Sequence, residues 1–311
     1  MQVRPLFRWA VAGAALLTGV LTSQAALPAL NQPSSATSNP GKFEWADLFT
    51  GDLTSAEQFY TGLLGWTASS TSDPKSYSKA GSRRDYSVLS DHGVPVAGLV
   101  QRSGPVSKTE HPARWIGYVA VPDLKASLKA VKAAGGKVVS PARRVPDRGQ
   151  QAIVTDPEEA VVGLIQSSSG DVADADTVSG RWMWFELYSA HSKTAGDFYQ
   201  KALGYQVGPD TESKKPDHFV LIAGGQNRAG ISPLPYDDAK PDWLGFIRVD
   251  DLDATVGKVA GLGGEVIDAQ KTAEEGSRYA IIADSTGGVF GLVQFEGSTE
   301  SMTAAKTPAS Q

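Results

Sequence analysis

Residues 43–66 read FEWADLFTGDLTSAEQFYTGLLGW, and residues 182–205 read WMWFELYSAHSKTAGDFYQKALGY. Phe59-Tyr60 answers to Phe198-Tyr199. The correspondence continues downstream. WIGYVAVPDLKASLKAVKAAGGKVVSPA (115–142) matches WLGFIRVDDLDATVGKVAGLGGEVIDAQ (243–270), and AIVTDPEEAVVGLIQ (152–166) matches AIIADSTGGVFGLVQ (280–294). The glycine pair Gly135-Gly136 answers to Gly263-Gly264. A repeat of about 125 residues is far too long for a solenoid unit. It is a duplicated domain, so each inference about one copy can be checked on its twin.

Each copy divides again. In every quarter an alternating strand leads into a helix. Ala56, Phe59, Tyr60, Leu63 and Leu64 fall at helical spacing within Leu53–Leu64, and Gly65 ends the run. Leu124, Leu128 and Val131 do the same within 124–134, closed by Gly135-Gly136. Further strands are expected near Ser82–Leu89, Val94–Gln101, Lys137–Ser140, Gln151–Thr155 and Val161–Gln166. The order is strand, helix, three strands, four times over. The fold class is therefore α+β: two tandem modules, each a pair of βαβββ units curled into a cup.

The ends and the joint between the copies differ in composition. Residues 1–25 hold Arg4, Arg8 and then an apolar run from Trp9 to Leu21, shorter than the ~20 residues a membrane-spanning helix needs. Ser23-Gln24-Ala25 follows, so 1–25 reads as a secretory signal peptide cleaved after Ala25. A secreted or periplasmic location is expected, with no membrane association after cleavage. Residues 26–41 are a flexible lead-in, 42–167 the first module, 168–180 a linker, 181–296 the second module and 297–311 a disordered tail. Asp171, Asp174 and Asp176 lack the glycine and later glutamate of a calcium loop and read as solvated linker charge.

Composition narrows the function. There is no cysteine, which removes disulfides, thiol catalysis and cysteine-ligated metals. Net charge is −5, and losing Arg4 and Arg8 makes it more negative. Arg83-Arg84 and Arg143-Arg144 are isolated pairs, so nucleic acid is not expected as a partner. There is no G-x-S-x-G elbow, P-loop or G-x-G-x-x-G.

A paired βαβββ unit opening with "D-L-…-FY…-L-G-W" and ending "D-P-x-x-…-G-L" resembles the vicinal oxygen chelate superfamily, which includes glyoxalase I, extradiol dioxygenases and the bleomycin and fosfomycin resistance proteins. The resemblance covers residues 42–167 and 181–296. The W-x-D/E-L wording of the first strand and A-G-L/A-G-I of the fourth are most similar to tandem glyoxalase-like proteins of actinobacteria, described as hydroxylases or culture-filtrate antigens. One scaffold hosts many chemistries here, so the resemblance speaks for fold more than for function.

The resemblance implies a divalent ion held in each cup by His, Glu or Gln. Carried over by this sequence's own landmarks, the ligand positions are Trp45, Gly98, Gly117 and Gly163 in the first copy, and Trp184, Gly230, Gly245 and Gly291 in the second. None offers an oxygen or imidazole donor. No metal and no other cofactor is expected, which argues against glyoxalase-type isomerisation and extradiol cleavage, both of which use the ion. His92, His111 and His191 read as turn, loop and helix-start residues. Only His218, in the position matching Tyr86, is placed to face a cup.

Strand alternation gives the candidates. Trp45, Asp47 and Phe49 share one face of the first strand, and Trp182, Trp184, Glu186 and Tyr188 share one face of its twin. The aliphatic faces belong against the helices, so these faces should line the cups. Trp115 and Trp243, sharing faces with Gly117 and Gly245, are expected to join them. The candidate catalytic groups are Asp47 and Glu186. The candidate ligand contacts are Trp45, Trp115, Trp184, Trp243, Tyr86 and His218. Two indoles, a carboxylate and a glycine floor suit a small flat organic molecule. The same residues equally suit a cup filled by its own tryptophans, each indole satisfied by one acid. Three readings follow: a binding protein; an enzyme of the same superfamily using Asp47 or Glu186, or an ion held elsewhere; and an interaction protein with solid cups.

Overall fold

A computed structural model describes residues 27–73, 84–102, 113–175, 177–211, 213, 215–236, 239–270 and 276–295. The expected signal peptide, the tail from 297, His111 and Asp176 lie outside the described residues. The first module runs β1 (Phe43–Thr50), α1 (Leu53–Leu64), β2 (Thr67–Asp73), β3 (Arg84–Asp91), β4 (Val94–Gln101), β5 (Arg114–Ala120), α2 (Leu124–Ala133), β6 (Lys137–Val145), β7 (Gly149–Thr155) and β8 (Val161–Ser167). The second runs β9 (Trp182–Ser189), α3 (Ser192–Leu203), β10 (Gln206–Pro209), β11 (Phe219–Ala223), β12 (Gln226–Pro233), β13 (Asp242–Arg248), α4 (Leu252–Val259), β14 (Glu265–Ala269), β15 (Ser277–Ala283) and β16 (Val289–Phe295), with one 3₁₀ turn at Ala260–Leu262.

Each module is one eight-stranded mixed sheet. The orders are β2-β3-β4-β1-β5-β8-β7-β6 and β10-β11-β12-β9-β13-β16-β15-β14. The first strands of the two units, β1 with β5 and β9 with β13, pair antiparallel at the centre, and each pairs in parallel with the last strand of its own unit. Among the described residues no helix is long and apolar enough to cross a membrane.

Local chemistry starts and stops the helices. Asp52, Asp123 and Asp251 accept from the backbone N–H three residues on, at 3.0, 2.9 and 2.9 Å. Gly65 closes α1 in the left-handed conformation, φ 71°. The twin of Asp52 is His191, which makes no side-chain cap bond. Glu158 of the first module instead holds the stretch that leads into α3, accepting from Ala190 N–H at 2.9 Å and Ser189 Oγ at 2.8 Å.

The helix-facing sides of both sheets share one core. Ala46, Leu48 and Leu99 from the first module and Leu187, Ile231 and Leu292 from the second are fully buried in a single cluster. Its centre is aromatic and reciprocal. Trp115 Nε1–H donates to Tyr60 Oη at 2.8 Å, and Tyr60 donates to Asp284 of the second module at 2.7 Å. In return Trp243 Nε1–H donates to Tyr199 Oη at 2.8 Å, and Tyr199 donates to Asp156 of the first module at 3.3 Å. Burial first, then the facing carboxylate, pushes both tyrosine hydroxyls well above their ordinary pKa, so each remains a donor. Phe43 stacks on Phe185 with centroids 4.2 Å apart, and Trp115 meets Trp182 edge-on at 5.0 Å.

The repeated glycine pairs take their meaning from this joint. A Cβ on Gly264 would lie 2.6 Å from Phe59 Cε2, and one on Gly136 would lie 3.0 Å from Phe198 Cε2. Each phenylalanine lies over the backbone of the opposite module, which only glycine leaves clear.

Replacing Tyr60 with Phe strands two buried partners, the Trp115 indole N–H and one oxygen of Asp284. The expected loss is about 1–3 kcal/mol in urea unfolding. Because one core serves both modules, the transition should stay single. An unchanged midpoint, or two separate transitions in the parent chain, would contradict this account.

Candidate functional site

Two bulges decide what faces each cup. In β1 the pairing with β5 skips Glu44, so Trp45 lies opposite Tyr118 while Phe43 lies opposite Val119. In β9 the pairing with β13 skips Met183, so Trp184 lies opposite Phe246 while Trp182 lies opposite Ile247. An extra residue rotates the following side chains to the other face. Phe43 and Trp182 therefore pack into the shared core, and Trp182 does not share the face of Trp184.

The same register corrects the fifth-strand expectation. Asp47 lies opposite Ile116 and Glu186 opposite Leu244. Trp115 and Gly117 share a face with each other, as do Trp243 and Gly245, but it is the face buried between the modules. Trp115 and Trp243 belong to the tyrosine relays and are not cup residues. The positions over Gly163 and Gly291 are taken by the rings of Tyr118 and Phe246.

Cup 1 is filled. Trp45, Tyr86, Val88, Val100, Tyr118, Val145 and Ile165 form a second buried cluster, separate from the shared core. Asp47, only 1 % exposed, accepts from Trp45 Nε1 at 2.6 Å and Tyr86 Oη at 2.7 Å. Arg148, also 1 % exposed, stacks its guanidinium 3.7 Å from the centre of the Trp45 ring. Leu27 is buried in this cluster, with Leu30 packed against it. The stretch before β1 thus lies in the mouth of cup 1. It is tied to the linker by Ser35 N–H to Ser169 O and Asp171 N–H to Thr37 O, both 2.9 Å.

Cup 2 is open. Trp184, Glu186, Tyr188, His218, Phe246 and Tyr279 all keep partial exposure, where Trp45, Asp47, Tyr86 and Tyr118 keep almost none. They line one end of a connected cleft of about 2650 Å³ that continues between the modules. That volume far exceeds a single small-ligand site, typically ~300–1,000 Å³, so only the end around Glu186 is a candidate.

The chemistry at that end is a chain of hydrogen bonds. Trp184 Nε1–H donates to Glu186 Oε2 at 2.8 Å. Ser232 Oγ donates to Glu186 Oε1 at 2.5 Å and lies 3.0 Å from His218 Nδ1. In cup 1 the residue opposite Tyr86 is Val100. In cup 2 the residue opposite Phe219 is Ile231, which places His218 beside Ser232 and in the position of Tyr86. Valine to serine and tyrosine to histidine thus turn a closed pair into an extended polar array. Ser232 was not among the sequence candidates. The repeat alignment contained the signal, since VPVAGLVQ sets Val100 against Ser232 of QNRAGISP.

Burial is the largest influence on Glu186. Hydrogen bonds from Ser232 and Trp184 oppose it, the Asp210 charge adds to it, and the pKa is raised from 4.5 to about 7. Gly230 sits directly beneath the carboxylate, where a Cβ would collide with Glu186.

A divalent ion does not fit these donors. Among the described residues no three His, Asp or Glu side chains come together. The cup-facing positions beside each acid are glycines whose Cβ would strike Asp47, Tyr118, Glu186 or Phe246. In cup 2 Asp210 is near enough to Glu186 to add its charge, yet no third donor joins Glu186 and His218 among the described residues, which leaves a site short of ligands.

The sheet order and the repeated βαβββ pairs define a tandem cup-sheet protein, and comparison with known proteins agrees. Residues 42–164 match the Glyoxalase/Bleomycin resistance protein/Dioxygenase superfamily, and residues 184–293 match a Glyoxalase-like domain. "Putative glyoxylase CFP32" of Mycobacterium tuberculosis is 30% identical over 254 residues, covering 82% of this chain and 95% of that protein. "Anthracycline biosynthesis protein DnrV" of Streptomyces peucetius is 33% identical over 267 residues, covering 82% and 94%. Among solved structures, the Mn(II)-bound glyoxalase of Novosphingobium aromaticivorans aligns with TM-score 0.55 at 16% identity over 86% of each chain. The homoprotocatechuate 2,3-dioxygenase of B. fuscum aligns with TM-score 0.54 at 15% identity, over 87% of this chain and 76% of that one. The chain belongs to the glyoxalase/bleomycin resistance/dioxygenase superfamily.

Glu186 gives a stability test. Its proton is lost near pH 4.5 in the unfolded chain and near 7 in the folded one. The native state therefore binds more protons between those values, and the Glu186 contribution to stability falls as pH rises from about 4.5 to 7, then levels. Asp156, raised to about 6, and Glu44, raised to about 8, act in the same direction, burial being the main cause for each. Glu186→Gln should match the parent near pH 4.5 and be relatively more stable at pH 8, by about 1–3 kcal/mol. Parallel stability–pH curves for the two proteins would show that Glu186 is not so buried.

Proposed function

We propose that this chain is an exported, metal-independent protein that binds a small, flat organic molecule in cup 2. The observation that carries this reading is the contrast between twins: the carboxylate of cup 1 is buried and held by its own indole and tyrosine, while Glu186 lies in an open cup beside a partly exposed Trp184. An indole face beside a carboxylate favours a planar cationic ligand, through stacking and charge pairing. The Streptomyces relatives named for anthracycline biosynthesis support a fused-ring ligand class. Residues 1–25, with a basic start and a short apolar run, support export.

A second reading rests on the Ser232 hydroxyl bridging Glu186 and His218. A carboxyl group titrating near 7 and linked to an imidazole is equipped to take up and return a proton from a bound molecule. In that case Glu186 is the catalytic base, and Trp184 positions the ligand.

Titration with a planar cation such as proflavine separates the readings from a solid cup. Saturable binding is expected, tightening about tenfold from pH 6 to pH 8 as Glu186 ionises. Glu186→Gln should abolish that pH dependence and Trp184→Ala should weaken binding, whereas Asp47→Asn should leave it unchanged. Binding indifferent to both cup 2 substitutions would refute the assignment.

A further inference from the structure

Cup 1 holds a cation that its surroundings satisfy poorly. Arg148, in the turn between β6 and β7, is 1 % exposed. Its Nε–H donates to the backbone carbonyl of Pro28 at 3.1 Å, and its Nη2 has no hydrogen-bond partner. The flat guanidinium lies over Trp45, with the Tyr86 ring centre 5.8 Å away. Among the described residues no carboxylate pairs with it. Asp47, the acid of this cup, accepts from Trp45 and Tyr86 through its Oδ1 and forms no ion pair with Arg148. On β7, Gln151 lies opposite the cup residue Ile165, is 2 % exposed, and has both amide heteroatoms without a partner.

A buried guanidinium with one neutral acceptor and an idle nitrogen is a costly arrangement. A carboxylate would occupy Nε and Nη2 together, the two-point geometry that guanidinium groups favour. What lies there instead is chain. Leu27 and Leu30 fill the apolar part of the cup, and the Pro28 carbonyl takes the polar part. The segment behind them is fastened separately: Asn31 N–H donates to Ser169 Oγ at 3.1 Å, and Asn39 N–H to Asp171 Oδ2 at 2.6 Å. The contacts that hold 31–39 on the linker are thus separate from those that seat 27–30 in the cup.

We propose that cup 1 is a second binding site, for a planar aromatic carboxylate, and that residues 27–30 occupy it as an internal stand-in for that ligand. Arg148 takes the carboxylate, Trp45 and Tyr86 border the ring, and Gln151 offers a further donor and acceptor. The two cups then have opposite preferences, cation in cup 2 and anion in cup 1.

The test uses the full chain, with Leu27→Gly and Leu30→Gly together removing the apolar hold of the tip, and 2-naphthoate as the probe. Calorimetric titration should show binding about tenfold or more tighter than in the parent chain. 2-Naphthol, which lacks the carboxylate, should gain nothing. Adding Arg148→Met should abolish the gain, and Arg148→Lys should keep only part of it should the methionine variant not fold. Glu186→Gln should leave naphthoate binding unchanged, which separates this site from cup 2. A folded double-glycine variant with no gain, or a gain that survives loss of the Arg148 guanidinium, would overturn the proposal.

Discussion

The joint between the modules rests on two crossed hydrogen-bond relays, each running indole to phenol to carboxylate, with the carboxylate always supplied by the other module. A buried phenol costs stability unless both its donor and acceptor capacities are used. Neither module can meet that demand alone, because Tyr60 needs Asp284 and Tyr199 needs Asp156. The Phe59 and Phe198 rings press the same requirement, each lying on a glycine of the opposite copy. The duplicated sequence therefore keeps, in both copies, the residues by which the copies hold each other. FY, G-G and the aspartate after the seventh strand of each module are parts of one interlocking contact.

That contact fixes one face of each sheet and leaves the other free to diverge. On the free faces the copies have drifted apart by few residues. Asp47 with Tyr86 and Val100 closes on itself. Glu186 with His218 and Ser232 has a longer acid, a hydroxyl where valine stood and an imidazole where phenol stood, and it opens toward the cleft. Burial pushes the Glu186 carboxyl up to about 7, a group able to change charge near neutral pH. The stretch before β1 adds to the difference, since Leu27 and Leu30 pack into cup 1 only.

The architecture was legible because duplication made each pattern visible twice. The βαβββ order, α1 at Leu53–Leu64 and the strand Val94–Gln101 all follow from periodicity and turn residues. β2 was harder, since TASSTSD has no alternation and no apolar side chain larger than Ala68, and is a strand by pairing with β3 alone. The cup faces were only partly legible. Simple alternation places Trp45 with Asp47 and Trp184 with Glu186, as observed. It fails at Trp182 because a bulge at Met183 breaks the period, and nothing in WMWFEL marks that bulge. It fails at Trp115 and Trp243 because their faces depend on register with β1 and β9, a non-local property that strand composition does not carry. Glycine at 117 and 245 looked like cleared ligand space, whereas it makes room for Phe43, Phe185 and Trp182 between the modules. The packing of the lead-in into cup 1 was not legible either, since ALPALNQPSS contains two leucines among flexible residues and no periodicity to place them.

One cup is sealed and the other open. Fluorine NMR of chain labelled with 5-fluorotryptophan, each resonance assigned by a single Trp→Phe variant, measures this directly when a soluble paramagnetic agent is added. The Trp184 resonance should broaden strongly, while the Trp45, Trp115 and Trp243 resonances stay sharp. Equal broadening of Trp45 and Trp184, or none at Trp184, would contradict the claim and remove the basis for placing the site in the second module.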